Sequence, residues 1–362
     1  MEILNNNFRK IKIAIIGCGR ISKKHVMAIL SEYKRCELVA ICDNNKEKIE
    51  DIYNFYKSES KEKSIFYKDL KKYSEYEELI NAKRNKQLDI DLIVLATPSG
   101  LHPKQTTIAA KSGINVCTEK PMAINQEDAE EMIRTCKKAD VRLFVVKQNR
   151  LNPTLQILKK KVEEKDFGNI GIVDINVFWQ RPQTYYDQDK WRGTKEFDGG
   201  ALLNQASHYV DLLEWIIGPL EGLFATVSTI SRNIEVEDTA VLQLKWKDGT
   251  LGSMSVTMIT YPKNIEGSIT IIGDKGSAKV GGIAVNEFEF AYFKNDHGKK
   301  KLEEYNYKTD STYGHKSYYQ NMIDSLLKNK KPICDGESGL SSIKIINAAY
   351  KSSRENKFIK LI

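Results

Sequence analysis

Residues 11–20, with the sequence IKIAIIGCGR, decide the fold of this chain. The apolar run at 11–16 predicts a short strand that is buried on both faces of a sheet. Gly17-Cys18-Gly19 follows this strand directly, and a helical stretch begins within a few residues. A glycine-rich turn between the first buried strand and a helix is the setting in which a dinucleotide pyrophosphate binds a helix N-terminus.

Short apolar strands alternate with helical stretches through the first 150 residues. The clearest helix is Gln126–Lys138, with Asn125 as its N-cap. The segment 54–86 is rich in Lys, Glu, Tyr and Ser and is interpreted as solvated helices and loops. This alternation predicts an α/β fold built on a doubly wound parallel sheet. The predicted strands are 11–16, 38–43, 91–97, 115–118 and 142–147.

After about residue 150 the strands become long and alternate apolar with polar residues. Asp248-Gly249 predicts a hairpin turn between two of them. Helices are predicted at 201–217, 318–328 and 340–353. The second half is therefore predicted to be an α+β domain with an open, mainly antiparallel sheet, one face apolar and one mixed. Its predicted strands are 172–180, 223–230, 241–247, 253–258, 268–272 and 287–293.

Composition excludes several classes of protein. Of the 362 residues 41% are hydrophobic and 29% charged, as in a folded soluble protein. No apolar run approaches the roughly 18 residues of a membrane span, and the N-terminus lacks the apolar region of a secretory signal. The six cysteines are scattered, which predicts buried thiols of a cytoplasmic protein and no metal site. The net charge of +8 is spread along the chain, so no nucleic-acid partner is expected.

The glycine-rich turn predicts a dinucleotide cofactor, and Asp43 indicates which one. Gly17 permits the tight turn, Gly19 lets a pyrophosphate approach, and Ser22 provides the small residue needed for helix packing. Asp43 ends the second strand, where its carboxylate would bind ribose hydroxyls and repel a 2′-phosphate. Because Asn44 rather than an arginine follows, NAD is favoured over NADP. The alternative is that Asp43 only caps the next turn.

Two further strand exits complete the predicted cofactor site. Thr97 and Pro98 leave a strand near the switch point of the sheet and should border the nicotinamide. His102 either contacts the ligand or simply starts a helix. The predicted cofactor-binding residues are Gly17, Gly19, Arg20, Ile21, Asp43, Thr97, Pro98, His102, Glu119 and Lys120.

Lys120 and His208 are the candidate catalytic residues. Lys120 leaves a strand at the same sheet edge, where a partly desolvated ammonium would bind a substrate hydroxyl. Asn204 and His208 are four residues apart and share a helix face. Asp211, three residues further on, is placed to orient the His208 ring. Taken singly, a surface lysine and a core histidine are the simpler interpretations.

These motifs, in this order, resemble the glucose–fructose oxidoreductase/inositol dehydrogenase/MocA superfamily over essentially the whole chain. The resemblance implies an NAD-binding Rossmann domain at 1–148 and a substrate-binding and oligomerisation domain at 149–362. As an alternative, the helix at about 338–356 packs back on the first domain. The resemblance further implies that Lys120 and His208 form the catalytic pair. Asn204 stands where many members carry an aspartate, so it can position a hydroxyl but cannot act as a base.

A narrower resemblance concerns the substrate. The segments 147–153, 181–186, 191–193 and 199–211 are similar to bacterial UDP-N-acetyl-2-amino-2-deoxyglucuronate dehydrogenases. These enzymes oxidise the sugar C3 hydroxyl for later transamination, on a route to diacetamido-uronic acids of surface polysaccharides such as lipopolysaccharide O-antigen. Planar arginines suit a diphosphate and a carboxylate, and aromatic rings suit uracil or a sugar face. The predicted substrate-binding residues are Lys120, Lys147, Asn149, Arg150, Asn152, Arg181, Tyr185, Tyr186, Trp191, Arg192, Asn204, Gln205 and His208.

The resemblance also implies partners. In some similar enzymes 2-oxoglutarate reoxidises bound NADH, and a homo-oligomer, a tetramer more than a dimer, covers the half-apolar sheet. Several of the candidate substrate residues would instead pack the inter-domain loop or a neighbouring subunit. Two other functions stay open: oxidation of a polyol such as inositol or of another sugar, and a non-catalytic NAD-binding regulator.

Overall fold

The computed structural model describes residues 9–66, 69–282, 284–296, 302–306 and 313–361. The described chain divides into two compact units. The first takes the described residues of Met1–Met122, Asp128–Val146 and Ser311–Glu337, and the second takes those of Ala123–Glu127, Lys147–Asp310 and Ser338–Ile362.

Strands and helices alternate in the first unit, as the sequence predicts. The strands are β1 (Ile11–Ile16), β2 (Cys36–Cys42), β3 (Lys71–Tyr73), β4 (Leu92–Leu95), β5 (Asn115–Thr118) and β6 (Leu143–Val145). The helices are α1 (Ser22–Ser31), α2 (Lys46–Glu62), α3 (Tyr76–Arg84), α4 (His102–Lys111) and α5 (Gln126–Lys138).

These strands form one parallel sheet in the order β3-β2-β1-β4-β5-β6. This is the strand order of a doubly wound dinucleotide-binding fold, so the predicted fold class is confirmed. The carboxyl ends of β1 and β4, which lie side by side, mark the switch point. The central strands are apolar throughout because helices cover both faces of such a sheet.

The sequence analysis missed β3. Its three residues, Lys71–Tyr73, are polar and largely exposed at the edge of the sheet, so they carry none of the apolar signal of a central strand. The rest of the segment 54–86 contains helices whose outer faces are exposed to solvent, as predicted. Asn45 caps α2 through its side-chain oxygen, which accepts hydrogen bonds from the N–H groups of Glu47 and Lys48.

The second unit contains one large sheet with helices on its inner face. Its strands are β7 (Ile170–Phe178), β8 (Leu220–Ser228), β9 (Thr239–Trp246), β10 (Leu251–Thr257), β11 (Glu266–Gly273), β12 (Gly276–Gly281), β13 (Glu287–Phe293) and β14 (Ile359–Lys360). Its helices are α6 (Pro153–Glu163), α7 (Gln183–Asp187), α8 (Ser207–Leu212) and α10 (Gly336–Glu355). Helix α9 (Tyr313–Lys328) lies between β13 and α10 in sequence.

The sheet runs β13-β12-β11-β7-β10-β9-β8-β14, with every pair antiparallel except β7 and β10. The predicted Asp248-Gly249 hairpin joins β9 to β10, and Gly249 has a φ of 95°. Apolar residues of the strands face α6, α8 and α10 in a single core that includes Val173, Met254 and Ile345.

The predicted continuous helix at 201–217 is wrong. Ala201–Gln205 and Leu213–Ile217 are π-helical turns on either side of the short helix α8. A π-helical turn accommodates an extra residue, and such turns are frequent at functional sites.

The two C-terminal helices belong to different units. Helix α9 packs against α1 in the first unit. By contrast, Ile345, Ile346 and Ala349 of α10 belong to the core of the second unit. The chain thus returns to the first unit with α9, and the packing of 338–356 on the first domain stays a prediction. Among the described residues, no helix combines the length and apolar character needed to cross a membrane.

Candidate active site

The glycine-rich turn after β1 fits a dinucleotide. Gly17 has a φ of 95°, and a Cβ on it would lie 2.5 Å from the carbonyl oxygen of Ala96, so no other residue is tolerated. A Cβ on Gly19 would meet nothing within 4 Å. The backbone there borders open space at the start of α1, where N–H groups attract a pyrophosphate. Ser22 is fully buried, and its hydroxyl donates to the carbonyl of Gly19.

Asp43 directly follows β2 and stabilises this turn. Its Oδ2 accepts a 2.7 Å hydrogen bond from the N–H of Cys18, and its Oδ1 accepts one of 2.8 Å from the N–H of Asn45. The capping role that was the alternative to ribose binding is thus present. Each carboxylate oxygen keeps a second lone pair, so ribose binding by Asp43 remains compatible with these bonds and remains a prediction.

His102 has a structural role. The side chain is 1% exposed at the start of α4. Its Nε2 lies 2.9 Å from the carbonyl oxygen of Thr97, and its Nδ1 lies 3.0 Å from that of Pro121. The ring therefore links the loops that follow β4 and β5. Of the two interpretations left open for His102, the structure favours the helix-start residue over the cofactor contact.

Glu119 is buried between two histidines. Its Oε1 lies 3.1 Å from Nε2 of His25 and 3.8 Å from Nε2 of His315, and its Oε2 accepts a hydrogen bond from the N–H of Lys120. Burial opposes ionisation of this carboxyl, but the two imidazoles outweigh it and hold the pKa of Glu119 well below its usual range. An ionised carboxylate thus stands beside the half-buried Lys120.

In the second unit, Lys147 and Arg150 bind Asp211. Arg150 makes a bidentate pair with the carboxylate, with two distances of 2.7 Å, and Nζ of Lys147 lies 3.3 Å from Oδ1. Burial opposes ionisation of Asp211, but these two cations keep the pKa of its carboxyl below the usual range. Asp211 therefore holds the segment 147–150. It does not orient His208 in the way expected from sequence.

A residue that the sequence analysis did not select contacts His208. Nε2 of the Gln148 amide lies 3.2 Å from Nε2 of the His208 ring. Gln148 lies between Lys147 and Arg150 in sequence, and only the folded structure brings it next to α8. No local pattern indicates this pairing, because the two residues are separated by 60 positions.

Five of the predicted substrate-binding residues lie together in one cluster. Nε of Arg181 donates to Oε1 of Gln205, and the Gln205 amide contacts the Tyr185 hydroxyl at 3.1 Å. Arg192 donates to the same hydroxyl at 2.6 Å and stacks 4.5 Å from the ring centroids of Tyr185 and Trp191. The cluster offers guanidinium groups, aromatic faces and an amide in one place, which is the chemistry needed for an anionic, ring-containing ligand.

Tyr186, another predicted substrate-binding residue, is buried beside this cluster. It is 7% exposed, and its ring packs beside Gly193 and edge-on to Tyr185. It therefore supports the cluster from the core. Asn149 and Asn152 are both half-buried, and Asn152 immediately precedes α6.

Asn204 has a carboxylate beside it after all. Its Nδ2 donates to Oδ1 of Asp198, which is 2% exposed and whose Oδ2 accepts from the N–H of Gly193. Asp198 was not predicted as a site residue. Many members of the superfamily carry an aspartate at the position of Asn204, and here a carboxyl group contacts Asn204 from Asp198, six residues earlier.

Glu237 fixes the start of the first π-helical turn. Its Oε1 accepts from the N–H of Leu202 at 2.9 Å and from the Tyr350 hydroxyl at 3.0 Å. A Cβ on Gly200 would lie 1.6 Å from Oε2 of Glu237, which explains the second glycine of Gly199-Gly200. Burial raises the pKa of Glu237 to about 7. No local sequence pattern indicated this residue.

The fold and these residues define an NAD-binding oxidoreductase. Residues 11–147 match the model described as "Oxidoreductase family, NAD-binding Rossmann fold", and residues 159–361 match "Oxidoreductase family, C-terminal alpha/beta domain". The chain belongs to this family, GFO_IDH_MocA, and is an NAD-dependent sugar dehydrogenase.

Relatives with solved structures and known activities are similar over almost the whole chain. The WlbA dehydrogenase from Bordetella pertussis, solved with NADH and UDP-GlcNAcA, is 46% identical, with 98% of each chain covered and a TM-score of 0.88. The WlbA dehydrogenase from Chromobacterium violaceum, solved with the same two ligands, is 45% identical, with 98% and 97% covered and a TM-score of 0.87. Myo-inositol 2-dehydrogenase of Thermotoga maritima is 27% identical, with 97% and 98% covered.

Proposed function

We propose that this protein oxidises the C3 hydroxyl of UDP-N-acetyl-2-amino-2-deoxy-D-glucuronate to a ketone, with NAD as the oxidant. The observation that carries the proposal is the identity of 46% and 45%, over almost the whole chain, to two dehydrogenases solved with NADH and UDP-GlcNAcA. The product would be the 3-keto sugar that precedes transamination on a route to surface polysaccharide.

The cluster around Tyr185 supports an anionic, ring-containing substrate. Arg181 and Arg192 approach the same aromatic ring, at 5.5 and 4.5 Å from its centroid. We propose these two arginines for the diphosphate and the carboxylate. Arg150 is held by Asp211 through two hydrogen bonds of 2.7 Å, whereas Arg192 contacts Asp189 through Nε alone, at 3.1 Å. A neutral polyol carries no negative charge with which these guanidinium groups could pair.

We propose that Lys120 and His208 act on the same hydroxyl. The Lys120 ammonium donates a hydrogen bond to the substrate oxygen and makes its proton easier to remove, and His208 takes that proton. Asn204, held by Asp198, positions the hydroxyl. NAD supplies the hydride acceptor when bound, and the turn at Gly17 and Gly19, Asp43 and Glu119 would hold it.

A second candidate function is the oxidation of inositol or another small polyol. Full-length relatives at 24–27% identity include a scyllo-inositol 2-dehydrogenase of Bacillus subtilis and the myo-inositol enzyme named above. This function would keep the cofactor site and the catalytic pair but would leave the cluster around Tyr185 without an anionic ligand.

The deciding experiment follows the keto product by mass spectrometry and NADH by absorbance, with UDP-N-acetylglucosaminuronate, UDP-N-acetylglucosamine, UDP-glucuronate and myo-inositol, each with and without 2-oxoglutarate. We expect turnover only with the acetamido uronate. A requirement for 2-oxoglutarate would show that bound NADH is reoxidised in place. Turnover with myo-inositol alone would overturn the nucleotide-sugar proposal, and NAD binding without turnover of any sugar would favour a regulator.

A further inference from the structure

We propose that Gln148 is a positioning residue that controls the protonation of His208. The inference rests on the proposed function, because it takes His208 as the base. The contact that carries it is the 3.2 Å approach of the Gln148 amide nitrogen to Nε2 of the His208 ring.

Gln148 is held in place from both sides by the helix that carries His208. Its sequence neighbour Lys147 and the nearby Arg150 both bind Asp211, which lies on α8 three residues after His208. Nζ of Lys147 also donates to the hydroxyl of Ser342 at 2.7 Å. These buried contacts join the segment 147–150 to α8, so the amide faces the ring in a fixed place.

The chemistry of an amide suits both states of a base. In the arrangement described, the Gln148 N–H donates to Nε2, so the neutral ring carries its proton on Nδ1. The neutral ring can take a proton from a substrate hydroxyl only at the Nε2 lone pair, so the amide N–H must leave that lone pair as the hydroxyl approaches. Once Nε2 carries a proton, a half-turn of the amide presents Oε1 as an acceptor.

Among the described residues, no hydrogen bond to Oε1 of Gln148 opposes this half-turn of the amide. Oε1 of Gln148 is buried and has no hydrogen-bond partner among the residues that the structure describes. Turning the amide therefore breaks no existing bond of Oε1. A carboxylate at this position could only accept a hydrogen bond from the ring. An aliphatic side chain could neither donate nor accept one.

Other charged groups near α8 also bear on its titration. Asp211 lies on the helix itself, Lys147 and Arg150 lie on the segment that carries Gln148, and Glu214 follows on the next π-helical turn. Asp198 reaches the preceding turn through Asn204. None of these is altered by a substitution at position 148, so they act as a constant background in the test.

The test compares Gln148→Glu, Gln148→Met and the control Gln243→Glu, which adds the same charge at an exposed position on β9. The His208 pKa is read by NMR in the protein without substrate. His208→Asn identifies its signal among the five histidines. We expect Gln148→Glu to raise this pKa by about one unit or more, because its carboxylate stabilises only the protonated ring. Gln243→Glu should leave it within about 0.2 units.

Kinetics provide the second measurement. We expect the acid limb of kcat/KM to move to higher pH in Gln148→Glu, by the same amount as the NMR shift. In Gln148→Met we expect kcat to fall by about tenfold or more while KM changes little, because the ring loses its orientation. Unchanged His208 titration in a folded Gln148→Glu protein would overturn the inference. If that variant does not fold, an unchanged kcat in Gln148→Met would do so.

The NMR measurement separates this inference from the proposed function. A pKa shift in Gln148→Glu without activity on any nucleotide sugar would support the role of Gln148 and refute the substrate. Activity on UDP-N-acetylglucosaminuronate with no pKa shift would support the substrate and refute the role of Gln148.

Discussion

Glu119 and Lys120 are neighbours in sequence but have different environments. Glu119 is 8% exposed and lies among His25, His315 and the N–H of Lys120, whereas the Lys120 side chain is half-buried. In the second unit, Gln148 and Asp198 likewise lie beside His208 and Asn204. At this scale, the side chains of His208 and Asn204 each contact a polar side chain, that of Gln148 or Asp198, whereas Glu119 binds the backbone N–H of Lys120.

Replacement of His208 by Ala tests the proposed base. We expect kcat to fall by at least about 100-fold, because positioned general bases contribute rate factors of this size. NAD affinity, measured by titration calorimetry, should change little, since the residues proposed to hold NAD lie in the first unit. Full activity in His208→Ala would transfer the role of base to Lys120, and Lys120→Met would then be the inactive variant.

At the scale of elements, the conformation of segment 199–217 determines where Asn204 and His208 lie in the second unit. A continuous helix would place His208 and Asn204 one turn apart on one face. The π-helical turn Ala201–Gln205, which contains Asn204, interrupts that regular spacing before α8 begins, and Glu237 fixes the start of this turn through the N–H of Leu202. The segment therefore depends on a buried carboxyl whose pKa, about 7, lies in the physiological range.

Stability should consequently depend on pH through Glu237. Burial raises its pKa from 4.5 to about 7 in the folded protein. The stabilisation is therefore complete below pH 4.5 and is lost as the pH rises to about 7 and above, at a cost of about 3 kcal/mol. Glu237→Gln stays neutral and keeps an oxygen for Leu202 and Tyr350. We expect it to unfold at a higher temperature than wild type at pH 8 and at a similar temperature at pH 4.5.

Glu235→Gln is the matched control for this stability measurement. Glu235 is two residues away and exposed, so its substitution should leave the difference in melting temperature between pH 4.5 and pH 8 as in wild type. Equal pH dependence of wild type and Glu237→Gln would contradict the assigned role of the buried carboxyl.

At the scale of the whole molecule, the outer face of the second sheet carries a row of apolar side chains. Ile272, Ile172 and Leu251 occupy paired positions on the adjacent strands β11, β7 and β10. All three are exposed, between 40% and 52%. A row of this kind is typical of a surface that another subunit covers.

We therefore expect a homo-oligomer, with a tetramer favoured over a dimer, in sedimentation equilibrium. Ile172→Lys should lower the measured mass, because it places a charge in the middle of the row. Ile230→Lys is the control, since Ile230 is exposed in the loop after β8, outside the row. A wild-type mass equal to one chain of 41.3 kDa would contradict the expectation.

The sequence by itself determined the doubly wound fold, the glycine-rich turn, the hairpin at Asp248-Gly249 and most of the strands. Each of these is encoded locally, in the period of apolar residues or in the backbone freedom of glycine. The family followed from motifs that are likewise local, and the comparisons confirmed it. The exposed edge strand β3 was missed because edge strands lack that apolar period.

Only the tertiary structure decided the partners of the polar side chains. Arg150 could have bound a substrate anion, but it pairs with Asp211, 61 positions away. His102 and Glu119 likewise bind groups that are distant in sequence. A charged or amide side chain has many possible partners of similar energy in an unfolded chain. Packing selects one of them, because a buried polar group without a partner is costly.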